Sequence, residues 1–316
     1  MRRRNQSYAS LVHSNPEHQD VFIVNWMLGN TCNYSCSYCP SYLHDGSHAW
    51  INIEQAIDFC KKLILHYHSK KIVMEFTGGE VTMWKDFLTL CRFLHEENVR
   101  ISVISNGSRT ERWWKEALPY LDRVNLSFHP QSADSLHFIS IVELLHQSVH
   151  THVNIMMLPS HFDSCHQLAQ EISDTFSVSV SMQPLLYNLK GQIYPYSTAQ
   201  LDILNKTVLS PSVPSLLQAD HYRGEMVKAY TDGKRESYPC HHYISSFENN
   251  WRGWSCMAGM EQLVIAQDGN VYRGWCMNGG IIGNIADRQI RFPIHAVYCS
   301  SSSCSCNFDI LCTKHR

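Results

Sequence analysis

Hydrophobic and polar positions between residues 21 and 185 follow two alternating patterns. Short runs rich in β-branched and aromatic residues predict buried strands, and longer segments with apolar residues at helical spacing predict amphipathic helices. The predicted strands are VFIVNWML, KIVMEF, RISVIS, RVNLSF, HVNIMML and SVSVSMQPL. The predicted helices are NIEQAIDFCKKLILHYH, WKDFLTLCRFLHEENV, TERWWKEALPYL, SADSLHFISIVELLHQSV and SHFDSCHQLAQEISDTF. The segment therefore contains six predicted strands, with a predicted helix between each strand and the next.

This repeat predicts an α/β fold with a parallel sheet, because apolar strands separated by crossover helices are buried on both faces. A complete (β/α)8 barrel takes about 250 residues. The segment therefore fits a partial, six-stranded (β/α)6 barrel of the TIM type, with a doubly wound sheet as the alternative. In either fold, ligands bind at the carboxyl ends of the strands.

The pattern changes after residue 185. NLKGQIYPYSTAQLDIL predicts a turn followed by a helix, and SPSVPS is a cluster of helix and strand breakers. EQLVIAQDGNVYRGW predicts a hairpin that turns at Asp268 and Gly269. The predicted domains are an N-terminal extension (1–20), the barrel (21–185), a connector with helices (186–255) and a small cysteine-rich domain that contains the hairpin (256–316).

Composition is that of a folded globular protein, with 44 % hydrophobic and 17 % charged residues among 316. The formal net charge of −2 gives no basic field for nucleic acid, which is therefore a disfavoured partner. The basic N-terminus is not followed by an apolar run, and the longest apolar stretch is too short to span a bilayer. We therefore expect a cytoplasmic protein without a membrane partner.

The chain has 13 cysteines, which in a reducing compartment are metal ligands or buried thiols more often than disulfides. Cys60, Cys91 and Cys165 stand alone in helical patterns, so we expect them in the core. The other ten lie between residues 32 and 39 or after residue 239. This distribution predicts two separate metal centres.

Cys32, Cys36 and Cys39 form a C-x3-C-x2-C pattern directly after the first predicted strand. Thiolates bind zinc, copper(I) and iron–sulfur clusters. A structural zinc site would need a fourth ligand, for which His44 and His48 are near in sequence. A [4Fe–4S] cluster held by three cysteines instead leaves one iron open to a small molecule. The spacing alone leaves both alternatives open.

With the aromatic Tyr38 before its last cysteine, this loop resembles the signature of the radical S-adenosylmethionine (radical SAM) enzymes. TGGE (77–80), after the second strand, resembles the GGE motif of that superfamily. SNG (105–107) and LSFH (126–129) end the third and fourth strands, where the family contacts its cofactor. The resemblance covers about residues 21–185 and places these motifs in the family's order.

The resemblance implies that Cys32, Cys36 and Cys39 hold a [4Fe–4S] cluster whose open iron binds S-adenosylmethionine. One electron then cleaves this cofactor to methionine and a 5′-deoxyadenosyl radical, which takes a hydrogen atom from the substrate. Glycines let a backbone approach a ligand closely, and a carboxylate accepts hydrogen bonds from an ammonium group. The implied cofactor-binding residues are Tyr38, Gly78, Gly79, Glu80, Ser105, Asn106 and Ser127.

The C-terminal cysteines resemble the SPASM and twitch extensions of some radical SAM enzymes, in which a cysteine, a hairpin and a second cysteine begin an auxiliary iron–sulfur site. Their spacing departs from the full SPASM pattern, and the short chain favours the one-cluster twitch form. The resemblance implies four ligands, Cys256, Cys276, Cys304 and Cys306. Competing ligands are Cys299 and Cys312, and Cys240 beside His241 and His242 is a further ligand, a zinc site or a packed thiol. A structural zinc knuckle is the alternative for the whole group.

The family resemblance implies an oxygen-sensitive enzyme that oxidises, crosslinks or rearranges a small metabolite or a peptide side chain. It also implies a flavodoxin or ferredoxin as electron donor. Too few residues precede the first strand for a peptide-binding domain, so we expect none in this chain. The competing hypotheses are a non-catalytic metal-binding protein and a radical SAM enzyme that modifies nucleic acid.

Overall fold

The computed structural model describes residues 8–187, 192–205, 208–212, 217 and 223–316. The strands are β1 Ser10–His13, β2 Val21–Met27, β3 Lys71–Thr77, β4 Arg100–Ser105, β5 Arg123–Phe128, β6 His150–Met156, β7 Ser179–Gln183, β8 Val208–Leu209, β9 Glu225–Ala229, β10 Arg235–Pro239, β11 Ser255–Cys256, β12 Gln262–Ile265, β13 Asn270–Tyr272, β14 Ile281–Asn284, β15 Val297–Tyr298 and β16 Lys314–His315. The α-helices are α1 Ile53–His66, α2 Phe87–Glu96, α3 Glu111–Ala117, α4 Ser135–Leu145, α5 Phe162–Thr175, α6 Thr198–Leu204, α7 Cys240–Ser245 and α8 Asn307–Ile310. Short 3-10 helices are Pro16–Asp20, Ser41–Leu43, Val81–Met83, Leu118–Tyr120 and Pro159–His161.

The chain divides into two compact units, each built from more than one segment. Unit 1 takes the described residues of Met1–Trp26, Glu54–Met74 and His221–Arg316, and unit 2 those of Met27–Ile53 and Glu75–Asp220. Strands β2 and β3 therefore begin in unit 1 and end in unit 2. The predicted division into consecutive domains stays a prediction.

Unit 2 holds the strand–helix repeat from the ends of β2 and β3 onward, whereas α1 lies in unit 1 apart from its first residue. The last residues of β2 and β3 come first in its sheet order, followed by β4-β5-β6-β7-β8. Strands β4 to β7 pair in parallel, and β8 runs antiparallel to β7. Side-chain caps start two of the crossover helices, with Thr110 accepting from the Trp113 N–H and Asp134 from the His137 N–H. The predicted α/β class and the six-stranded repeat are confirmed.

Unit 1 contains an antiparallel sheet in the order β10-β9-β1-β16-β11-β15. The sequence did not reveal this sheet. Strand β1 falls in the predicted extension, β9 and β10 in the predicted connector, and β15 and β16 in a tail that lacks alternation. These strands have two to five residues each, too few for a local pattern, and they are assembled by pairing between distant segments.

The predicted C-terminal hairpin is confirmed as β12 and β13, which pair antiparallel. Its turn contains Gly269 at φ +80°, a conformation that glycine adopts without strain. On its other side β12 pairs in parallel with β2, within unit 1. Residues 188–191 of the predicted turn and residues 213–215 of the SPSVPS cluster lie outside the described residues. Within the described part of the chain, no helix has the length and apolar character needed to cross a bilayer.

Candidate functional site

The cysteine loop, residues 29–48, follows β2 and lies in unit 2. The fully buried Asn30 organises it. Its Nδ2 donates to the Tyr42 carbonyl oxygen at 3.0 Å and to Asp45 Oδ1 at 2.7 Å, and its Oδ1 accepts from the His48 N–H at 2.9 Å. A buried asparagine with these bonds fixes the path of an otherwise irregular loop. The sequence analysis did not identify Asn30.

Cys36 is buried in this loop, and Cys32 and Cys39 are half-buried. Burial raises the pKa of Cys32 and Cys36, and burial together with the neighbouring thiolates raises the pKa of Cys39 to about 11. The free thiols therefore keep their protons at neutral pH. Because a metal binds the thiolate, loading this loop releases those protons.

The three thiols of this loop can be compared with the needs of a zinc ion and of an iron–sulfur cluster. Among the described residues, no three His, Cys, Asp or Glu side chains converge on one metal-ion position. A structural zinc ion needs its thiolates about 2.3 Å from a single centre. An iron–sulfur cube takes each thiolate on a different iron, so its ligands are spread over the cluster. Three cysteines on one loop suit a cube in which the fourth iron is left open.

The GGE loop, residues 77–80, lies against the backbone of the cysteine loop. Gly78 has φ +94° and Gly79 has φ +50°. A Cβ on Gly79 would lie 2.2 Å from the Thr31 carbonyl oxygen, and the Glu80 N–H donates to the same oxygen at 2.8 Å. Glycine is therefore required here for contact between two loops, in addition to the predicted approach to a ligand.

Replacing Gly79 by alanine is expected to separate these loops. The Cβ cannot be accommodated without moving backbone atoms, and an alanine at positive φ adds about 1 kcal/mol of strain. We expect a loss of stability well above that strain alone, measured by denaturant unfolding. Gly233→Ala is the matched control, since Gly233 has φ +88° with no atom within 4 Å of the added Cβ. Equal losses in both variants would contradict the close contact.

The carboxylate of Glu80 joins the GGE loop to the SNG loop (residues 105–108). It is 1 % exposed and accepts hydrogen bonds from the Thr82 N–H (3.1 Å), Thr82 Oγ (2.6 Å), Ser105 Oγ (2.9 Å) and the Asn106 N–H (2.6 Å). Burial raises the pKa of Glu80, and these donors oppose that rise. Its described contacts give it a positioning role, and the contact with an ammonium group stays a prediction.

The SNG loop in turn holds the start of the cysteine loop. Asn106 Nδ2 donates to Asn33 Oδ1 at 2.9 Å and lies 3.9 Å from the Cys32 sulfur. Asn33 Nδ2 donates to Ser108 Oγ at 2.9 Å. Asn33 and Ser108 are positioning residues that the sequence did not reveal, because short polar side chains in turns carry no distinguishing pattern.

The loop after β5 holds the other end of the cysteine loop. The Tyr38 hydroxyl and Nδ1 of His129 are hydrogen-bonded at 2.9 Å, and Gln131 Oε1 accepts from the Ser37 N–H at 2.8 Å. Burial lowers the pKa of His129 to about 4, so the ring is neutral at physiological pH. Tyr38 is buried, as is Ser127 at the end of β5. Their predicted contacts with the cofactor stay predictions.

The C-terminal cysteine group lies in unit 1. The thiol of Cys312 donates a hydrogen bond to Cys256, which lowers the pKa of Cys256 to about 6, and burial raises that of Cys312. The charge of Cys256 also acts on Cys276 and Cys304, whose pKa values are raised to about 12, mainly by burial. For Cys306, burial is the main cause of its raised pKa, and the neighbouring cysteine that contributes is Cys240.

This distribution brings together three of the four predicted auxiliary ligands, Cys256, Cys276 and Cys304. The competitor Cys312 packs with Cys256, whereas Cys240 packs against the cluster that contains Cys304. The predicted ligand set stays a prediction. Spacing along the tail does not say which thiol a short helix such as α8 turns toward the hairpin.

Residues 26–172 match the family model of the radical SAM superfamily. A probable GTP 3′,8-cyclase of Sulfurisphaera tokodaii is 32 % identical over 104 residues, 32 % of this chain and 32 % of that protein. An S-adenosylmethionine-dependent nucleotide dehydratase of Selenomonas ruminantium is 29 % identical over 90 residues, 28 % of this chain and 31 % of its own length. The matches thus span about a third of each relative.

A solved structure, native anSMEcpe with bound AdoMet, superposes with a TM-score of 0.51 at 19 % identity and covers 84 % of this chain and 78 % of that one. At this identity the likeness concerns the fold. It agrees with the predicted partial barrel, which is the fold of radical SAM domains. Residues 26–172 of this chain therefore form a domain of the radical SAM superfamily.

Proposed function

We propose that this chain is a radical SAM enzyme whose cluster is held by Cys32, Cys36 and Cys39. One observation carries the proposal: the buried Glu80 carboxylate binds donors of the SNG loop, and Asn106 of that loop reaches the cysteine loop. Three strand-end loops are thereby held in a fixed arrangement around the thiols. A non-catalytic metal-binding protein would not need the two cofactor loops to be fixed in this way.

The bound cluster and S-adenosylmethionine would supply a one-electron carbon–sulfur cleavage that yields a 5′-deoxyadenosyl radical. The chain's own residues would bind and orient. Backbone groups of Gly78 and Gly79 and the polar side chains of Asn106 and Ser127 would hold the cofactor, and Ser105 would hold Glu80 in place. The half-buried loop limits access of water to the thiols, as radical chemistry requires.

For the C-terminal cysteine group we propose an auxiliary iron–sulfur cluster held by Cys256, Cys276, Cys304 and Cys312. Cys256 packs with Cys312, and its charge acts on Cys276 and Cys304, which supports this set. Thiolate ligands also suit zinc, so iron analysis decides between the two metals. The proposed electron donor is a flavodoxin or ferredoxin, and the proposed location is the cytoplasm.

The polar face of the strands in unit 2 supports a polar substrate. On β6 and β7, Asn154 and Gln183 alternate with the fully buried Val153, Ile155 and Val180, so they lie on the opposite face of the sheet. Gln183 Nε2 donates to Asn154 Oδ1 at 3.1 Å, which leaves the pair further hydrogen-bonding capacity. We propose that the radical oxidises, crosslinks or rearranges a polar small molecule or a peptide side chain.

A nucleotide is the second candidate substrate. The two curated relatives described above are named for GTP cyclisation and nucleotide dehydration. Amide side chains such as those of Asn154 and Gln183 hydrogen-bond base edges and ribose hydroxyls equally well.

The proposal is tested by release of 5′-deoxyadenosine from S-adenosylmethionine in anaerobically reconstituted protein with dithionite. We expect release that depends on Cys32, Cys36 and Cys39, with the triple alanine variant as control. GTP and CTP are then compared with cysteine- and serine-containing peptides. A nucleotide that stimulates release several-fold would select the second candidate. Iron-loaded protein that neither binds nor cleaves the cofactor under any of these conditions would contradict the proposed function.

A further inference from the structure

Lys314 in β16 is a buried cation that forms no salt bridge within the described residues. It is 1 % exposed, and its Nζ donates to the carbonyl oxygens of Asp309 (2.8 Å), Ile310 (3.1 Å) and Cys312 (2.8 Å). The Nζ also lies 4.8 Å from the centroid of the Trp251 ring. All three of its protons are used on neutral groups. Over the described part of the chain, no carboxylate forms a salt bridge with it.

Burying an ammonium group in this way is costly unless its charge is matched. Lys228 offers a direct comparison. Both lysines pair with Leu11 of β1, Lys228 from β9 on one side and Lys314 from β16 on the other. Lys228 is also buried, but it forms an ion pair with Glu248. One lysine of the sheet is therefore paired with a carboxylate, and the other is not.

Two thiols neighbour Lys314, one across the sheet and one along the chain. Cys256 is its register partner between β11 and β16, and Cys312 lies two residues before it. A second cation, Arg223, acts electrostatically on Cys312 and on the buried Glu261 carboxylate. Arg223 Nη2 donates to the Val21 and Glu261 carbonyl oxygens, whereas its buried Nε and Nη1 have no partner in the described structure.

Asp309 contacts both Lys314 and the hairpin end that carries Cys276. It is buried, and its carboxylate accepts from Gln262 Nε2 (2.7 Å), the Trp275 N–H (2.9 Å) and the Cys276 N–H (2.6 Å). Its own carbonyl oxygen accepts from Lys314. Lys314 and Asp309 therefore join the segment that carries Cys312 to the hairpin end that carries Cys276.

We propose that Lys314 is the built-in counter-charge and positioning residue of an anionic iron–sulfur cluster at the C-terminal cysteine group. The proposal rests on the auxiliary cluster of the proposed function. A cube with four thiolate ligands is negatively charged, and its charge becomes more negative when it accepts an electron. A fixed buried cation stabilises both states, the reduced one more, and so raises the reduction potential.

The test uses full-length protein with Cys32, Cys36 and Cys39 replaced by alanine, so that all iron is bound at the C-terminal site. Lys314→Gln removes the charge and keeps N–H donors for the carbonyl groups. Lys314→Arg keeps the charge, and Lys228→Gln is the matched control. Iron content, the midpoint potential followed by electron paramagnetic resonance with dithionite as reductant, and thermal stability with and without iron are measured for each.

We expect about four irons in the parent, as for one cube, and in Lys228→Gln. Lys314→Gln should lose at least half of its iron, or keep it at a more negative potential, and Lys314→Arg should restore the parent values. Without iron, Lys314→Gln should be at least as stable as the parent, because an unmatched charge has been removed. Iron content and potential equal to those of Lys228→Gln would overturn the proposal. The proposal would also be overturned if Lys314→Gln lost as much stability without iron as with iron, or failed to fold without iron. Either result would indicate a merely structural lysine.

Absence of iron from the parent chain would overturn the auxiliary cluster together with this proposal. The radical SAM function is tested separately by cysteine-dependent release of 5′-deoxyadenosine from the intact protein. Failure at the C-terminal site therefore remains distinguishable from failure of the proposed enzyme.

Discussion

Replacing Cys36 by alanine is expected to abolish release of 5′-deoxyadenosine and to reduce bound iron by about four atoms per chain. Cys36 is the buried middle thiol of the cysteine loop, and the cube has no other protein ligand for that iron among the motif's cysteines. Iron analysis and product release in anaerobically reconstituted protein measure both effects. The remaining iron should be that of the C-terminal cysteine group.

Cys91→Ala is the matched control for this experiment. Cys91 lies in α2 of the same unit, is fully buried and stands apart from the metal-ligand motifs. Its replacement removes a small buried side chain and should cost roughly 1 kcal/mol of stability without loss of iron. If Cys36→Ala retained the iron and the activity of Cys91→Ala, the assignment of the first cluster site would be wrong.

Replacing Glu80 by alanine is expected to have the second largest effect. The change leaves the buried donors of Thr82, Ser105 and Asn106 without their acceptor and disconnects the GGE loop from the SNG loop. Unsatisfied buried donors cost about 1–3 kcal/mol each, so we expect a stability loss of at least about 3 kcal/mol. Affinity for S-adenosylmethionine should fall about tenfold or more, measured by equilibrium binding to iron-loaded protein.

Two controls separate this mechanism from a general effect of the substitution. Thr82→Val removes the hydroxyl donor and keeps the backbone N–H bond, so a loss of about 1 kcal/mol is expected. Glu111→Gln weakens an exposed i,i+4 ion pair with Lys115 and should change stability by less than about 0.5 kcal/mol. A Glu80→Ala protein as stable as Glu111→Gln, with unchanged cofactor affinity, would remove Glu80 from the site.

Gly79 and Glu80 show which features of the site the sequence predicts and which it does not. The motif and its position after a strand located both residues correctly at the carboxyl end of the sheet. Their described contacts are with protein: Gly79 accommodates the Thr31 carbonyl oxygen, and Glu80 accepts from the neighbouring strand-end loop. Motif spacing identifies residues near a site, but which partner each one has depends on segments far away in the chain.

The sequence by itself determined the elements with long, regular patterns. Six strands, five intervening helices and the C-terminal hairpin follow from local hydrophobic periodicity. The proposed first cluster site likewise rests on thiols that are close together in sequence. Each of these features depends on residues within one short segment, where period and spacing are visible.

Only the tertiary structure decided the features that join distant segments. The antiparallel sheet of unit 1 brings Leu11 between Lys228 and Lys314, and strands of two to five residues have no periodicity of their own. The same pairing sets Cys256 opposite Lys314, and Cys312 packs with Cys256. These neighbours, and the burial of Lys314 in the sheet, are consequences of long-range register, which is set by packing of the whole sheet and not by any local pattern.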